Sequence, residues 1–288
     1  MRTRWWVPYL YLGPALIFFG GFALYPVVRS AQFSLYQWDG LGESTFVGGA
    51  NYIDIFTDPT LRAAFGHALV LIAFFALLPL CLGLALAGIL TRSRIHGLGF
   101  FRTVIFLPQV IAMVVVAVAW RHIYAPNGPL NSVLTSVGLG NWTKAWLGDY
   151  SWSLPAVGFV GTWVQLGLVT VLLMAGMSKI PTELYHAARL DGAGAVREFF
   201  SVTLPHVRGE IAVALTLTII AALKTFDLIY VTTRGGPGTA TTVPAYEVYI
   251  RSFSQGAVGS GTAIAIALAV IIFVLNLVIN KVVDRGQQ

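Results

Sequence analysis

Six stretches of this chain are long and apolar enough to cross a bilayer as helices: roughly 9–34, 66–91, 103–124, 154–177, 207–232 and 258–281. A hydrocarbon core of about 30 Å takes about 20 helical residues. The runs are continuous and rich in Leu, Ala, Val and Ile, whereas strands of a transmembrane barrel would alternate in polarity. The fold class that follows is all-α: a polytopic membrane protein with six transmembrane helices. Composition closes the other routes. Of 288 residues, 57% are hydrophobic and 10% charged, against about 25% charged in soluble domains. Eighteen basic and twelve acidic side chains cannot cover a soluble enzyme of this length. Pro108 is expected to break the third run, and Lys224 and Asp227 interrupt the fifth. The first run follows Arg2 and Arg4 and contains Pro8, Pro14 and Pro26. Lacking a small-residue cleavage site, it reads as a retained first helix rather than a signal peptide.

The net charge of +6 forms no dense stripe of the kind that binds nucleic acid. Its distribution reports orientation instead. With the N-terminus inside, Arg2, Arg4, Arg92, Arg94, Arg102, Lys179, Arg189, Arg197, Arg208, Lys281 and Arg285 fall on the inner side. Arg62, Arg121, Lys144, Arg234 and Arg251 fall outside. The eleven-to-five split places both termini in the cytoplasm by the positive-inside rule. External residues 35–65 carry Asp39, Glu43, Asp54 and Asp58, and 125–153 carry Trp142, Trp146 and Trp152. Those tryptophans suit an interfacial belt or a docking surface for a partner. The single cysteine, Cys81, sits in an apolar run, where it packs in the core or faces lipid. It excludes an intrachain disulfide and a cysteine-based zinc site.

The long inner segment 178–206 has a clear local grammar. It reads Lys179-Ile-Pro-Thr-Glu-Leu-Tyr-His-Ala-Ala-Arg-Leu-Asp-Gly-Ala-Gly-Ala-Val-Arg-Glu-Phe-Phe-Ser-Val-Thr-Leu-Pro205. Pro181 suits a first helical turn. Residues 182–190 read as a helix, Gly192 as the turn out of it, and Asp191 as a cap for the next helix. That second helix spans about 193–203, with Pro205 helping to end it. Ala187, Ala188, Gly192, Ala193, Gly194 and Ala195 keep the tip small, while Arg189, Asp191, Arg197 and Glu198 offer polar contacts. Taken alone, the chemistry fits either a docking knob for a cytoplasmic partner or an ordinary interfacial loop.

The segment resembles the E-A-A loop of ABC importer permeases, here His186-Ala187-Ala188-Arg189-Leu190-Asp191-Gly192-Ala193, then Phe199-Phe200 and Leu204-Pro205. Other parts extend the likeness to carbohydrate permeases of the maltose, trehalose and glycerol-phosphate group. They are Tyr25-Pro26 before Ser34–Trp38, Asn131 with Trp146-Leu147, Trp163 before Met174–Pro181, and Phe226-Asp227 leading to Gly235-Gly236-Pro237-Gly238. The resemblance covers nearly the whole chain as one permease domain, 1–288, with the type I ABC importer permease fold. It implies that His186, Ala187, Ala188, Asp191, Gly192, Ala193 and Arg197 couple to an ATPase. His186 stands where the family pattern has Glu. It also implies a second homologous permease subunit, a cytoplasmic ATPase dimer binding ATP and Mg, an external substrate-binding protein, and a prokaryotic cell membrane. ATP binding would close the ATPases, move the 182–203 helices as levers and open the cavity outward. Hydrolysis would reset it. The cargo would be a sugar or oligosaccharide, or else a glycerol-phosphate compound.

Charged side chains within spans usually face a polar cavity or a partner. Lys224 and Asp227, three apart, would share a helix face, either as a structural ion pair or as the edge of a path with Thr225 and Tyr230. Trp163, Gln165, Thr225, Phe226 and Asp227 are the candidate substrate-path residues. By resemblance, Gly161, Gln165, Leu168 and Thr225 match sugar-contacting positions, though Gly161 and Leu168 carry no hydrogen-bonding side chain. No P-loop, H-E-x-x-H or G-x-S-x-G motif occurs, so no catalytic or metal residue is assigned and no cofactor is expected in this chain. The rival reading is an ion-coupled secondary transporter, with Lys224 and Asp227 as coupling groups. The orientation has a direct check. A reporter active only outside the cell is expected to work when fused after Gly140 and to be silent after Asp191; the opposite pattern overturns the inside-out assignment.

Overall fold

The computed structural model describes residues 7–92 and 97–285. Arg2, Arg4 and Arg94 of the charge bias lie outside the described residues. In chain order come α1 (Val7–Phe19), α2 (Tyr25–Phe33), the strands β1 (Tyr36–Gln37) and β2 (Thr45–Phe46), α3 (Ala50–Thr57), α4 (Pro59–Ile72), α5 (Leu78–Arg92), α6 (Leu98–Val110) and α7 (Met113–Ile123). There follow α8 (Pro129–Ser136), α9 (Ser153–Met177), α10 (Thr182–Leu190), α11 (Ala195–Glu198), α12 (Leu204–His206), α13 (Arg208–Leu223), α14 (Asp227–Thr232), α15 (Pro244–Tyr249) and α16 (Val258–Arg285). Four continuous helical segments among the described residues are long and apolar enough to span a membrane: Tyr11–Phe33, Pro59–Thr91, Ser153–Met177 and Val258–Lys281. Two bent pairs, α6 with α7 at 96° and Ala195–His206 with α13 at 71°, bring the number to six if each is one span.

Prolines inside these helices do not act as simple breakers. Proline lacks the N–H donor and its ring crowds the carbonyl four residues back. Pro26, Pro79 and Pro205 each follow a widened π turn: Gly20–Leu24, Ala73–Leu77 and Phe199–Thr203. In each turn the residue before the proline reaches back five positions, Tyr25 to Gly20, Leu78 to Ala73 and Leu204 to Phe199. The helix thus passes the proline at the cost of one unclaimed carbonyl. In the second turn that carbonyl belongs to Phe74, and the Thr162 hydroxyl donates to it at 2.6 Å. Pro205 therefore lies within the second arm of the 178–206 loop and does not end it; the chain turns at Val207 (φ −96°, ψ 14°). Pro108 likewise stays inside α6. The break in the third run comes later, at Ile111 and Ala112, whose extended backbone (ψ 134° and 133°) separates α6 from α7.

Contacts group the chain into two compact units. Among the described residues the larger comprises 62–92, 97–246 and 270–285, and α9 is its central element. Between apolar helices in lipid, association rests on close packing and hydrogen bonds rather than on hydrophobic transfer. Helix α9 packs against α5, α6, α13 and the π turn Ala73–Leu77. One core gathers Leu71, Phe75, Val157, Val160, Val164 and Leu228; a second gathers Ala87, Leu173, Met174, Ile180, Val202 and Val207. Gly161 and Gly167 make this approach possible. A Cβ at Gly161 would strike the Phe75 ring, and one at Gly167 would strike the Ile105 carbonyl oxygen.

The smaller unit joins the stretch ending at Leu61 to Glu247–Ala269. Its short sheet pairs Tyr36 with Phe46. Buried Asn51 locks the strand entry by donating to the Ser34 and Tyr36 carbonyls at 2.9 and 3.0 Å. Arg251 donates to Asp58, to Glu247 at 3.5 Å and to Ser260 at 3.1 Å. Cys81, in the larger unit, is exposed.

Two predictions follow from this packing. Gly167→Ala should destabilise the protein by about 1–3 kcal/mol, because a backbone carbonyl cannot yield as a side chain can; thermal unfolding in detergent reads it, and an unchanged midpoint would contradict the packing. Partial burial pushes the Asp58 carboxyl up, but the Arg251 hydrogen bond, the Thr60 N–H, the Arg251 charge and the Leu61 N–H together bring it below its ordinary 3.8. The stabilisation this supplies is complete above that ordinary value and fades as pH falls through the lower folded value. Asp58→Asn should therefore lower stability near neutrality and flatten the acid limb below about pH 4, measured by unfolding at stepped pH.

Candidate functional site

The 178–206 loop begins directly at the end of α9. Ser178 closes that helix, Ile180 is buried, and Lys179 pairs with Glu210 at 3.2 Å. Pro181 is extended (φ −59°, ψ 133°) and immediately precedes α10, so it sits one position before the expected first turn. Helix α10 occupies the predicted 182–190. Its end is closed by two reverse hydrogen bonds, Ala193 N–H to the Ala188 carbonyl at 2.9 Å and Gly192 N–H to Arg189 at 3.0 Å. This motif needs a left-handed residue, and Gly192 supplies φ +76°. Asp191 caps the end of α10; the start of α11 is Gly194 with no side-chain cap, which corrects the expected role of Asp191.

Two side-chain bonds brace the arms. Arg189 Nε donates to Glu198 Oε1 at 2.6 Å, with the carboxylate buried and the guanidinium mostly exposed. The hydrogen bond and charge of Glu198 hold the Arg189 guanidinium above its already high ordinary value. The Tyr185 and Thr203 hydroxyls lie 3.0 Å apart. The outer surface of this braced hairpin presents His186, Ala187, Asp191, Gly192 and Arg197 as exposed residues, with Ala188 and Ala193 half-buried. The structure thus brings the seven expected coupling positions onto one short hairpin. It adds two that sequence reading passed over. Leu190 is 89% and Val196 72% exposed, the apolar prominences of the tip. Their signal in the sequence is an aliphatic residue where the neighbours are small or polar.

The candidate path residues divide. Trp163 is 40% exposed and Gln165 only 4%. Two positions apart on a helix, they point about 200° away from each other. The Gln165 Oε1 is buried with no hydrogen-bond partner. Gly161, matched to a sugar-contacting position, faces Phe75 in the core. The fifth run is broken: α13 ends at Leu223, and Lys224 to Phe226 are not helical. The expected helix to 232 and the shared face of Lys224 and Asp227 are both corrected, since helical spacing does not apply across that break. Both charges are exposed and make no ion pair among the described residues, so the structural-pair reading falls. Thr225 is buried. Phe226 stacks on Tyr230 at 5.3 Å and faces Tyr246 at 6.5 Å, and Trp120 meets Trp163 edge-on at 5.6 Å. Tyr246 and Trp120 lie too far away in sequence for any local pattern to have found them.

Residues 80–286 match the model of the family described as binding-protein-dependent transport system inner membrane component. A probable ABC transporter permease of Bacillus subtilis strain 168, YurN, is 37% identical over 98% of this chain and 97% of its own. The diacetylchitobiose uptake permease NgcF of Streptomyces coelicolor is 33% identical over 96% and 83%. Among solved structures, a bacterial ABC transporter that imports the acidic polysaccharide alginate superposes with a TM-score of 0.83 over 97% of this chain and 96% of its own, at 24% identity. The fold is that of an ABC importer permease, and an ion-coupled secondary transporter is not favoured. With its apolar helices, its hairpin at the end of α9 and these relatives, the chain belongs to the binding-protein-dependent transport system inner membrane components, as a multi-pass permease of an ATP-driven importer.

Proposed function

We propose that this permease forms half of a translocation path for a sugar or oligosaccharide and takes its drive from a cytoplasmic ATPase docked on residues 178–206. The carrying observation is the hairpin α10–α11: short, braced by Arg189–Glu198, and tipped by exposed Leu190 and Val196. An apolar prominence on a rigid base fits a groove with little loss of freedom on binding. His186, Ala187, Ala188, Asp191, Gly192, Ala193 and Arg197 surround that tip. The carbohydrate assignment is supported by the diacetylchitobiose uptake role of the Streptomyces relative and by the aromatic surfaces of Trp163 and Phe226, which suit the C–H faces of sugars. Trp163, Thr225, Phe226 and Asp227 would line the path, with Gln165 shaping the helix behind it. A second homologous permease would complete the path, and an external binding protein would deliver cargo, as a periplasmic protein accompanies the alginate transporter. ATP and Mg would bind only the ATPase dimer, this chain catalysing nothing. The whole of 1–288 acts as one permease domain in a prokaryotic cell membrane, with both termini cytoplasmic.

Leu190→Asp tests the docking. It should weaken binding of the cognate ATPase by about thirtyfold or more, the scale of an interface anchor, and abolish ATP-driven uptake of labelled oligosaccharide into vesicles. Pairing of the two permeases should survive. Normal uptake in that variant would remove the hairpin from the coupling role.

A further inference from the structure

We propose that the cavity beside α10 accepts one acidic side chain of the docked ATPase, held by His186 and Arg189. This rests on the reading of 178–206 as the docking loop and adds to it the charge that the partner must bring.

The cavity, about 290 Å³, opens where α10 leaves α9. Its lining combines Thr91 from α5, Ser178, and Thr182, Tyr185, His186 and Arg189 from the start and body of the loop. No carboxylate is among its lining residues. His186 and Arg189 are three apart on α10 and so lie on neighbouring positions of one face. Arg189 engages Glu198 through Nε alone. Its two terminal nitrogens make no further bond among the described residues, and the Glu198 bond holds the guanidinium fork in place for a second acceptor. Among the described residues, Glu198 is the acid already bonded to Arg189, and three other charged groups of this region have their own places. Glu183 takes the Thr182 hydroxyl at 3.5 Å, Asp191 lies beyond the far end of α10, and Lys179 is paired with Glu210. None of the three lines the cavity.

A carboxylate entering this space meets the terminal N–H groups of a guanidinium and an imidazole, both able to donate. A cationic side chain entering it meets no acceptor of opposite charge. The volume holds a carboxylate side chain with a few waters, at about 30 Å³ per water. The resemblance puts Glu at position 186 in the family pattern. In this protein no carboxylate stands at that point, and the donors His186 and Arg189 line the cavity instead.

The test uses the assembled permease pair in nanodiscs and its cognate ATPase. His186→Glu should weaken ATPase binding by about tenfold or more, His186→Gln by less, and added salt should weaken the wild type. Replacing one acidic residue of the ATPase docking face with lysine should restore binding to His186→Glu. Equal or tighter binding of His186→Glu, or no restoring lysine among those acids, overturns the proposal while Leu190→Asp still abolishes binding. Retained binding in Leu190→Asp overturns the docking-loop reading itself, and this proposal with it. Unchanged melting of the permease pair confirms that each variant is folded.

Discussion

A helix in hydrocarbon must satisfy its own backbone, because no water is present to take an unclaimed carbonyl. Much of this structure follows from how three prolines meet that demand. Each removes one donor, and each is preceded by a π turn that moves the chain past the crowded carbonyl. Where Pro79 leaves the Phe74 carbonyl without a helical donor, the Thr162 hydroxyl supplies one. That single bond ties α9 to the π turn between α4 and α5. Where Pro205 does the same in the 178–206 loop, the widened turn keeps Ala195–His206 running as one arm. That arm is as long as it is because the proline is accommodated and does not stop the helix.

Helix α9 carries the functional consequences. Its first turn is tied to the end of α7, where the 125–153 loop begins, through the Tyr124 hydroxyl, which donates to the Ala156 carbonyl at 3.1 Å. Within that loop Asn131 accepts from Trp146 at 2.8 Å and donates to the Lys144 carbonyl at 2.9 Å. Its middle carries Trp163 and Gln165. Its C-terminal end passes, across four residues, into α10. One continuous helix therefore runs from that loop, through Trp163 and Gln165, to the α10–α11 hairpin. Because its glycines let neighbouring helices press directly against it, small shifts of this helix cannot be absorbed by soft side chains.

The sequence was most legible where chemistry is local. Helix 182–190 and the turn at Gly192 were readable because an extended proline, a helical run and a residue free to take φ +76° act within a few positions of each other. The reading erred where a local rule met a neighbour. Proline is costly in an isolated helix, yet α6 continues past Pro108 and a π turn carries the chain past Pro205. Lys224 and Asp227 were placed on one face by helical spacing, and the break at Lys224–Phe226 removed that spacing. Leu190 and Val196 were passed over because exposure of an aliphatic residue is a property of the folded surface.

By itself the sequence determined that this chain lives in a membrane as helices, and that a hairpin with a glycine turn follows the fourth run. These depend on transfer energies and backbone preferences that each segment carries alone. Only the tertiary structure decided which face of α9 lies in the core, that Trp163 and Gln165 diverge, and that Phe226, Tyr230 and Tyr246 gather beside the broken fifth helix. It also decided that His186 and Arg189 share a cavity without an acid. Those are matters of which side chains meet across distant parts of the chain. They were settled by glycine-sized clearances and single hydrogen bonds, which no periodicity encodes.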